Sequence, residues 1–132
     1  NHTFIYWKVT MKKNIIKIGL SIFLLTLASV ASAENVILIN PFTVPTEKLE
    51  ESVSFWEKAR EFLQKEPGYV STILHQSIHT DATYQLINVA EWESVETYQS
   101  ATRRMREYFR SEKVKMVEGL QYDPALYRVI RK

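Results

Sequence analysis

From residue 36 onward the hydrophobic positions switch between two periods. Val36 to Asn40 reads as a strand with Val36, Leu38 and Asn40 on one face and Ile37 and Ile39 on the other, mostly apolar on both sides, and Pro41 and Pro45 are expected to close it. From Thr46 to Lys65 the spacing becomes helical: Leu49, Val53, Trp56, Ala59 and Leu63 form a stripe, widened by Phe55 and Phe62. Glu47, Glu50 and Glu51 favour the positive N-terminal end of that helix, and Glu66-Pro67-Gly68 stops it. Tyr69 to Ile78 and Thr83 to Trp92 are β-branched and aromatic runs around a short polar link, His79 to Ala82, which predicts a hairpin. Ser94 is a good N-cap for a second helix with a stripe of Val95, Tyr98, Thr102 and Met105, continuing to Phe109. Leu120 to Ile130 reads as a last strand, interrupted near Asp123-Pro124.

The predicted order is β-α-β-β-α-β, an α+β, ferredoxin-like protomer. Two helices can cover only one face of a four-stranded sheet, yet Ile37, Ile39, Ile87 and Val89 make the other face apolar too. A second copy of the same sheet is the simplest cover, so a homodimer is expected.

Residues 1–33 do not belong to this pattern. Met11 to Lys17 is basic, Ile18 to Val30 is apolar, and Ala31-Ser32-Ala33 supplies the small residues of a cleavage site. That order predicts a secretory signal over residues 11–33, a mature start at Glu34, and a periplasmic or secreted product without a membrane anchor after cleavage. The apolar run falls short of the roughly 20 residues of a bilayer-spanning helix. Residues 1–10 precede a plausible initiator Met and read as leader with no assigned role. Four of the 17 Lys and Arg residues and none of the 15 acids lie in this segment, which leaves residues 34–132 with a net charge of about −2. So small a charge argues against a nucleic-acid partner. The absence of cysteine excludes disulfides, thiolate metal sites and a Cys nucleophile.

Three stretches carry a family likeness: "INPFTVP" at 39–45, "EPGYVSTILHQS" at 66–77 and "INVAEWES" at 87–94. Together they resemble the antibiotic biosynthesis monooxygenase (ABM) superfamily across nearly all of residues 34–132. The resemblance implies ferredoxin-like protomers paired into a dimeric α/β barrel. For activity it spans cofactor-free oxygenases of phenolic polyketides and quinols, haem-degrading enzymes, and members with no assigned reaction.

In the polyketide-oxidising branch an Asn, a Trp four residues later and a Tyr six beyond that surround the aromatic substrate. The matching positions here are Asn88, Trp92 and Tyr98. Positions 88 and 92 share a strand face, and Tyr98 falls in the first turn of the helix that packs back on it. The branch also uses a basic residue farther on, for which Arg110 is the nearest candidate, with Glu112 close to the same place. The haem-degrading branch uses an Asn in the first strand, a Trp ending the third and a His ten residues after it. Asn40 and Trp92 match, but the third position is Thr102, which cannot ligate haem iron as His does.

Each candidate also has an ordinary structural reading. Asn88 fits equally a core polar residue satisfied by backbone, Trp92 a sheet-end anchor, Trp56 the helix core beside a place in the site, and Asn40 the end of a strand. His75 carries the side-chain type that suits a general base; parity puts it with Tyr69, Ser71 and Ile73, on a face the sequence does not fix. His75 and His79 lie roughly 13 Å apart along a strand, too far for one metal ion. Arg103, Arg104, Arg106 and Arg110, interleaved with Glu107 and Glu112, read as a solvated helix face.

Two functions follow. The first is an exported, cofactor-independent monooxygenase oxidising a phenolic, quinol or anthrone-like small molecule with O2; with only three Gly, no dinucleotide fingerprint is present. The second is a non-catalytic periplasmic binding module for a hydrophobic or haem-like ligand.

Overall fold

Pro41 does not end the first strand. In the computed structural model, which describes residues 34–132, β1 runs Val36–Thr43 straight through it. A proline's missing N–H is harmless where no ladder partner waits for it. The Pro41 carbonyl accepts from the Asp123 amide at 3.2 Å, so the Pro41 nitrogen faces the same neighbour, at the point where pairing is broken between two short strands. Those strands are β4 (Gln121–Tyr122) and β5 (Ala125–Tyr127), and both pair with β1. The expected last strand is therefore split at Asp123-Pro124, opposite Pro41, which has no N–H to return to Asp123, and it ends at Tyr127, short of Ile130. The leader and signal assigned to residues 1–10 and 11–33 lie outside the described residues.

A 3-10 turn at Thr46–Lys48 leads into α1 (Leu49–Leu63). Strand β2 (Tyr69–Gln76), strand β3 (Leu86–Trp92) and helix α2 (Val95–Ser111) follow. The sheet order is β2-β3-β1-β4, with β5 also on β1 and every pair antiparallel, which is the ferredoxin-like arrangement.

Local chemistry fixes the junctions. At the start of α2, the Ser94 Oγ accepts from the Thr97 amide at 3.1 Å while the Thr97 Oγ1 accepts from the Ser94 amide at 3.2 Å, a reciprocal cap. Gly68, at φ +85°, turns the chain from α1 into β2, and a Cβ there would collide with the Thr97 side chain. No other residue satisfies both demands. On α1, Ser52 is the one buried polar residue, and its Oγ donates to the Lys48 carbonyl at 2.7 Å.

Alternation along β1 and β3 puts Leu38, Asn40 and Phe42, with Leu86, Asn88, Ala90 and Trp92, beneath the helices. Leu38, Ala90 and Trp92 form a buried cluster with Ala101 of α2, a helix position the predicted stripe passed over, while Val95 is exposed. The opposite face carries Ile37, Ile39, Ile87 and Val89, with Ile73 from β2 and Tyr127 from β5. Ile39, Ile73 and Tyr127 are exposed there.

Candidate functional site

A cavity of about 580 Å³ lies between the sheet and the two helices. Aromatic rings bound it at both ends of β1. Near Leu38, Trp92 is wedged between Tyr69 and Tyr98, with edge-on ring contacts at 5.6 and 5.8 Å. Near Phe42, Tyr122 meets Phe42 edge-on at 5.2 Å and Phe55 packs on Phe109 at 5.7 Å. Such T-shaped packing holds each ring without filling the space between the clusters.

Between them stand two asparagines. Asn40 of β1 and Asn88 of β3 are direct cross-strand partners, and both line the cavity. The Asn88 Oδ1 accepts from the Trp56 Nε1 at 3.1 Å and from the Thr72 Oγ1 at 2.6 Å. An indole N–H can only donate, so this contact fixes which way the Asn88 amide faces. Its Nδ2 then has no hydrogen-bond partner among the described residues. Asn40 presents the complementary lack, because its Oδ1 is buried with no partner among the described residues. A buried acceptor left unpaired costs roughly 1–3 kcal/mol.

Six of the seven candidate residues, Asn88, Trp92, Tyr98, Asn40, Trp56 and Arg110, meet around this one cavity. Their roles within it differ from the expected ones. Asn88 and Trp92 share a face but sit roughly 13 Å apart along the strand, so Trp92 packs among tyrosines while Trp56, reaching down from α1, makes the indole contact with Asn88. Thr72 completes that junction; as a β-branched strand residue it gave no sequence signal. Thr102 lines the cavity, but its hydroxyl donates back to the carbonyls of Tyr98 and Gln99 at 3.0 and 3.1 Å.

His75 is the exception. A register shift between Tyr69 and Ser71 breaks the parity of β2, so Tyr69, Thr72 and Leu74 face the helices, whereas Ser71, Ile73 and His75 face away. The exposed His75 ring lies 3.3 Å from the Ile87 carbonyl through its Nδ1, with the sheet between it and the cavity.

The electrostatics of the walls are one-sided. Among the described residues no carboxylate or imidazole lines the cavity, whereas Arg60, Arg106 and Arg110 do. The Arg60 guanidinium lies over the Trp56 ring, 5.2 Å from its centre. Burial pushes the Tyr98 phenol above its ordinary value of 10.0, a rise that the charge of Arg106 partly opposes, and burial alone pushes Tyr122 up to about 12. Both phenols are neutral at physiological pH, so neither is a base there.

No protein-family model matches the sequence, and no curated protein matches it. Solved structures do. A candidate monooxygenase from Shewanella loihica PV-4 is 50% identical, superposes with a TM-score of 0.68, and is covered over 97% of its chain by 75% of this one. SnoaB, a cofactor-independent oxygenase from Streptomyces nogalater, is 18% identical with a TM-score of 0.57, over 76% of this chain and 97% of that one. The haem-degrader MhuD from Mycobacterium tuberculosis, with two haems bound in its active site, is 18% identical with a TM-score of 0.54, over 74% and 97% of the two chains. At their identity the last two share the fold.

Proposed function

The chain belongs to the antibiotic biosynthesis monooxygenase superfamily, and from that premise we propose an exported, cofactor-independent oxygenase that uses O2 to oxidise a phenolic, quinol or anthrone-like ring. The observation that carries the proposal is the facing pair at the cavity floor: an unpaired Asn40 acceptor and an unpaired Asn88 donor, set between two aromatic clusters. An electron-rich ring bearing one hydroxyl or enol oxygen matches that space and that polarity.

Such a ring supplies its own electrons. Once ionised, it passes one electron to O2, and the resulting radical pair combines at an activated ring carbon to form a carbon–oxygen bond. Loss of water from the peroxide leaves C=O where two hydrogens, or a hydrogen and the ionised hydroxyl proton, had been. One oxygen atom enters the product, the other leaves as water, and the substrate provides all four electrons. Asn88 Nδ2 donates to the substrate oxyanion, a dipole already fixed by Trp56 and Thr72 so that it needs no reorganisation. Asn40 Oδ1, shielded from solvent, accepts from the un-ionised substrate once the Asn40 side chain turns toward it. Tyr98, held neutral, donates to the developing peroxide or product carbonyl. With no side-chain base in the wall, the substrate proton leaves to solvent.

Two further parts belong to this proposal. The basic, apolar and small-residue order of residues 11–33 supports export with a mature start at Glu34; mass spectrometry of periplasmic material that found residues 18–30 retained would refute it. The apolar sheet face of Ile39, Ile73 and Val89 supports a homodimer packed sheet to sheet. Oxygen uptake with a panel of quinols and anthrones tests the chemistry itself.

A further inference from the structure

One side-chain amide decides whether the cavity floor offers a ligand a donor or an acceptor. The oxygen and nitrogen ends of Asn88 are nearly equal in size, so the sense in which the amide sits is set by its neighbours and not by its shape. Two neighbours reach it. The Thr72 hydroxyl, 2.6 Å from Oδ1, fits either sense, because it donates to the oxygen as things stand and would accept from the nitrogen if the amide turned over. The Trp56 Nε1, at 3.1 Å from the same oxygen, has no such freedom, since an indole N–H only donates. Trp56 therefore sets the amide, and Thr72 follows it.

These neighbours come from different elements, and each is delivered by a local feature of its own. Trp56 stands on α1, 32 positions from Asn88 in sequence, with the Arg60 guanidinium over its ring at 5.2 Å from the centre. Thr72 pairs with Ala90 on β3 and reaches Asn88 diagonally along the strand. It faces the helices only because the register shifts between Tyr69 and Ser71; unbroken alternation from Tyr69 would turn Thr72 to the other side of the sheet. The irregular step thus supplies the hydroxyl that fits both senses.

We infer that Trp56 is a specificity-determining residue of the cavity, acting as a positioning residue through Asn88. By holding Oδ1, its N–H leaves Nδ2 as the end offered to a ligand, which favours ligands that set an acceptor oxygen against Asn88 over those that set a donor there. The inference rests on the reading of the cavity as a site for ring compounds and names what sets its polarity. Without the indole N–H, the Thr72 hydroxyl is free to hold the amide reversed, with Oδ1 toward the ligand. A site facing the wrong partner leaves buried polar groups unpaired and discriminates against it.

The test compares two ligands built on one flat ring pair: 2-acetylnaphthalene, whose carbonyl only accepts, and 2-aminonaphthalene, whose N–H groups donate. Both are titrated calorimetrically into the full chain, and the readout is the ratio of their affinities, because Asn40 is common to all variants. Trp56→Phe keeps a ring on α1 and should move that ratio about 10-fold or more toward the amine. Thr72→Val alone should leave it within about 3-fold of wild type, since Trp56 still sets the amide. Trp56→Phe/Thr72→Val should move it less than Trp56→Phe does, because no hydroxyl then holds the reversed amide. Should Trp56→Phe melt as an unfolded chain, benzothienylalanine in place of Trp56 exchanges the N–H for sulfur at nearly the same volume and carries the same expectation. A general loss of packing would weaken both ligands and keep their ratio. The inference is overturned if the ratio stays at the wild-type value without the indole N–H, if Thr72→Val alone shifts it as far, or if neither ligand binds. An unchanged ratio with substrate-dependent oxygen uptake would leave the oxygenase proposal standing, whereas the expected shift in a protein that consumes no O2 with any quinol or anthrone would remove that proposal and leave this one.

Discussion

Asn40 and Asn88 face each other across β1 and β3, yet their side-chain oxygens differ: Asn88 Oδ1 accepts two hydrogen bonds, and Asn40 Oδ1, buried beside it, accepts none among the described residues. A stability-optimised sheet would not keep such an atom. Residues retained for a ligand commonly cost the free protein something, so Asn40→Leu should leave thermal stability unchanged or raise it, by up to about 2 kcal/mol, while cutting ligand affinity or turnover by 10-fold or more. Paired thermal melts and titrations check this. A variant that unfolds more easily and still binds normally would make Asn40 a purely structural residue.

The two raised phenols predict how stability responds to alkali. A tyrosine whose folded pKa lies above its unfolded value of 10.0 contributes stability that is fully present below pH 10 and is lost as pH rises toward the folded value, because the unfolded chain gives up its proton first. For Tyr122 that window runs from 10.0 to about 12. Denaturant melts between about pH 8 and 11.5 should show stability falling across the upper part of the range. Tyr122→Phe keeps the ring against Phe42 and should flatten that fall.

The uncovered sheet face predicts association. A row of Ile73, Val89 and Ile39 crosses β2, β3 and β1 on the side away from the helices, with Ile73 58% exposed. Light scattering should report a dimer, and Ile39→Asp or Val89→Asp should convert it to monomer by placing a charge in an apolar contact. A wild-type protein that remains monomeric at every workable concentration would contradict this.

Much of this architecture was legible in periodicity. Alternation placed Asn88 and Trp92 on one face, helical spacing put Tyr98, Thr102 and Met105 over it, and the apolar Ile39 and Val89 on the reverse side marked an uncovered face. What periodicity missed depended on contacts between elements distant in sequence. Pro41 continues β1 only because β4 and β5 leave a gap opposite it. His75 lies away from the cavity because one irregular step after Tyr69 inverts the parity of β2. Trp56 follows the helix stripe like a core residue, and nothing local reveals that its N–H ends on Asn88, 32 residues away. Arg106 and Arg110 belong to a basic run that reads as a solvated face until α1 and α2 are brought over the same cavity.

The central claim is that this cavity oxidises an electron-rich ring with O2, and oxygen uptake by the purified protein tests it most directly. With a reactive quinol or anthrone and no added flavin, nicotinamide or metal, about one O2 should be consumed per product formed. Asn88→Ala, measured on protein that melts as a folded species, should reduce the rate by roughly 10²-fold, as expected for a lost oxyanion donor. No substrate-dependent uptake across the panel, or an Asn88→Ala variant turning over at the wild-type rate, would contradict it.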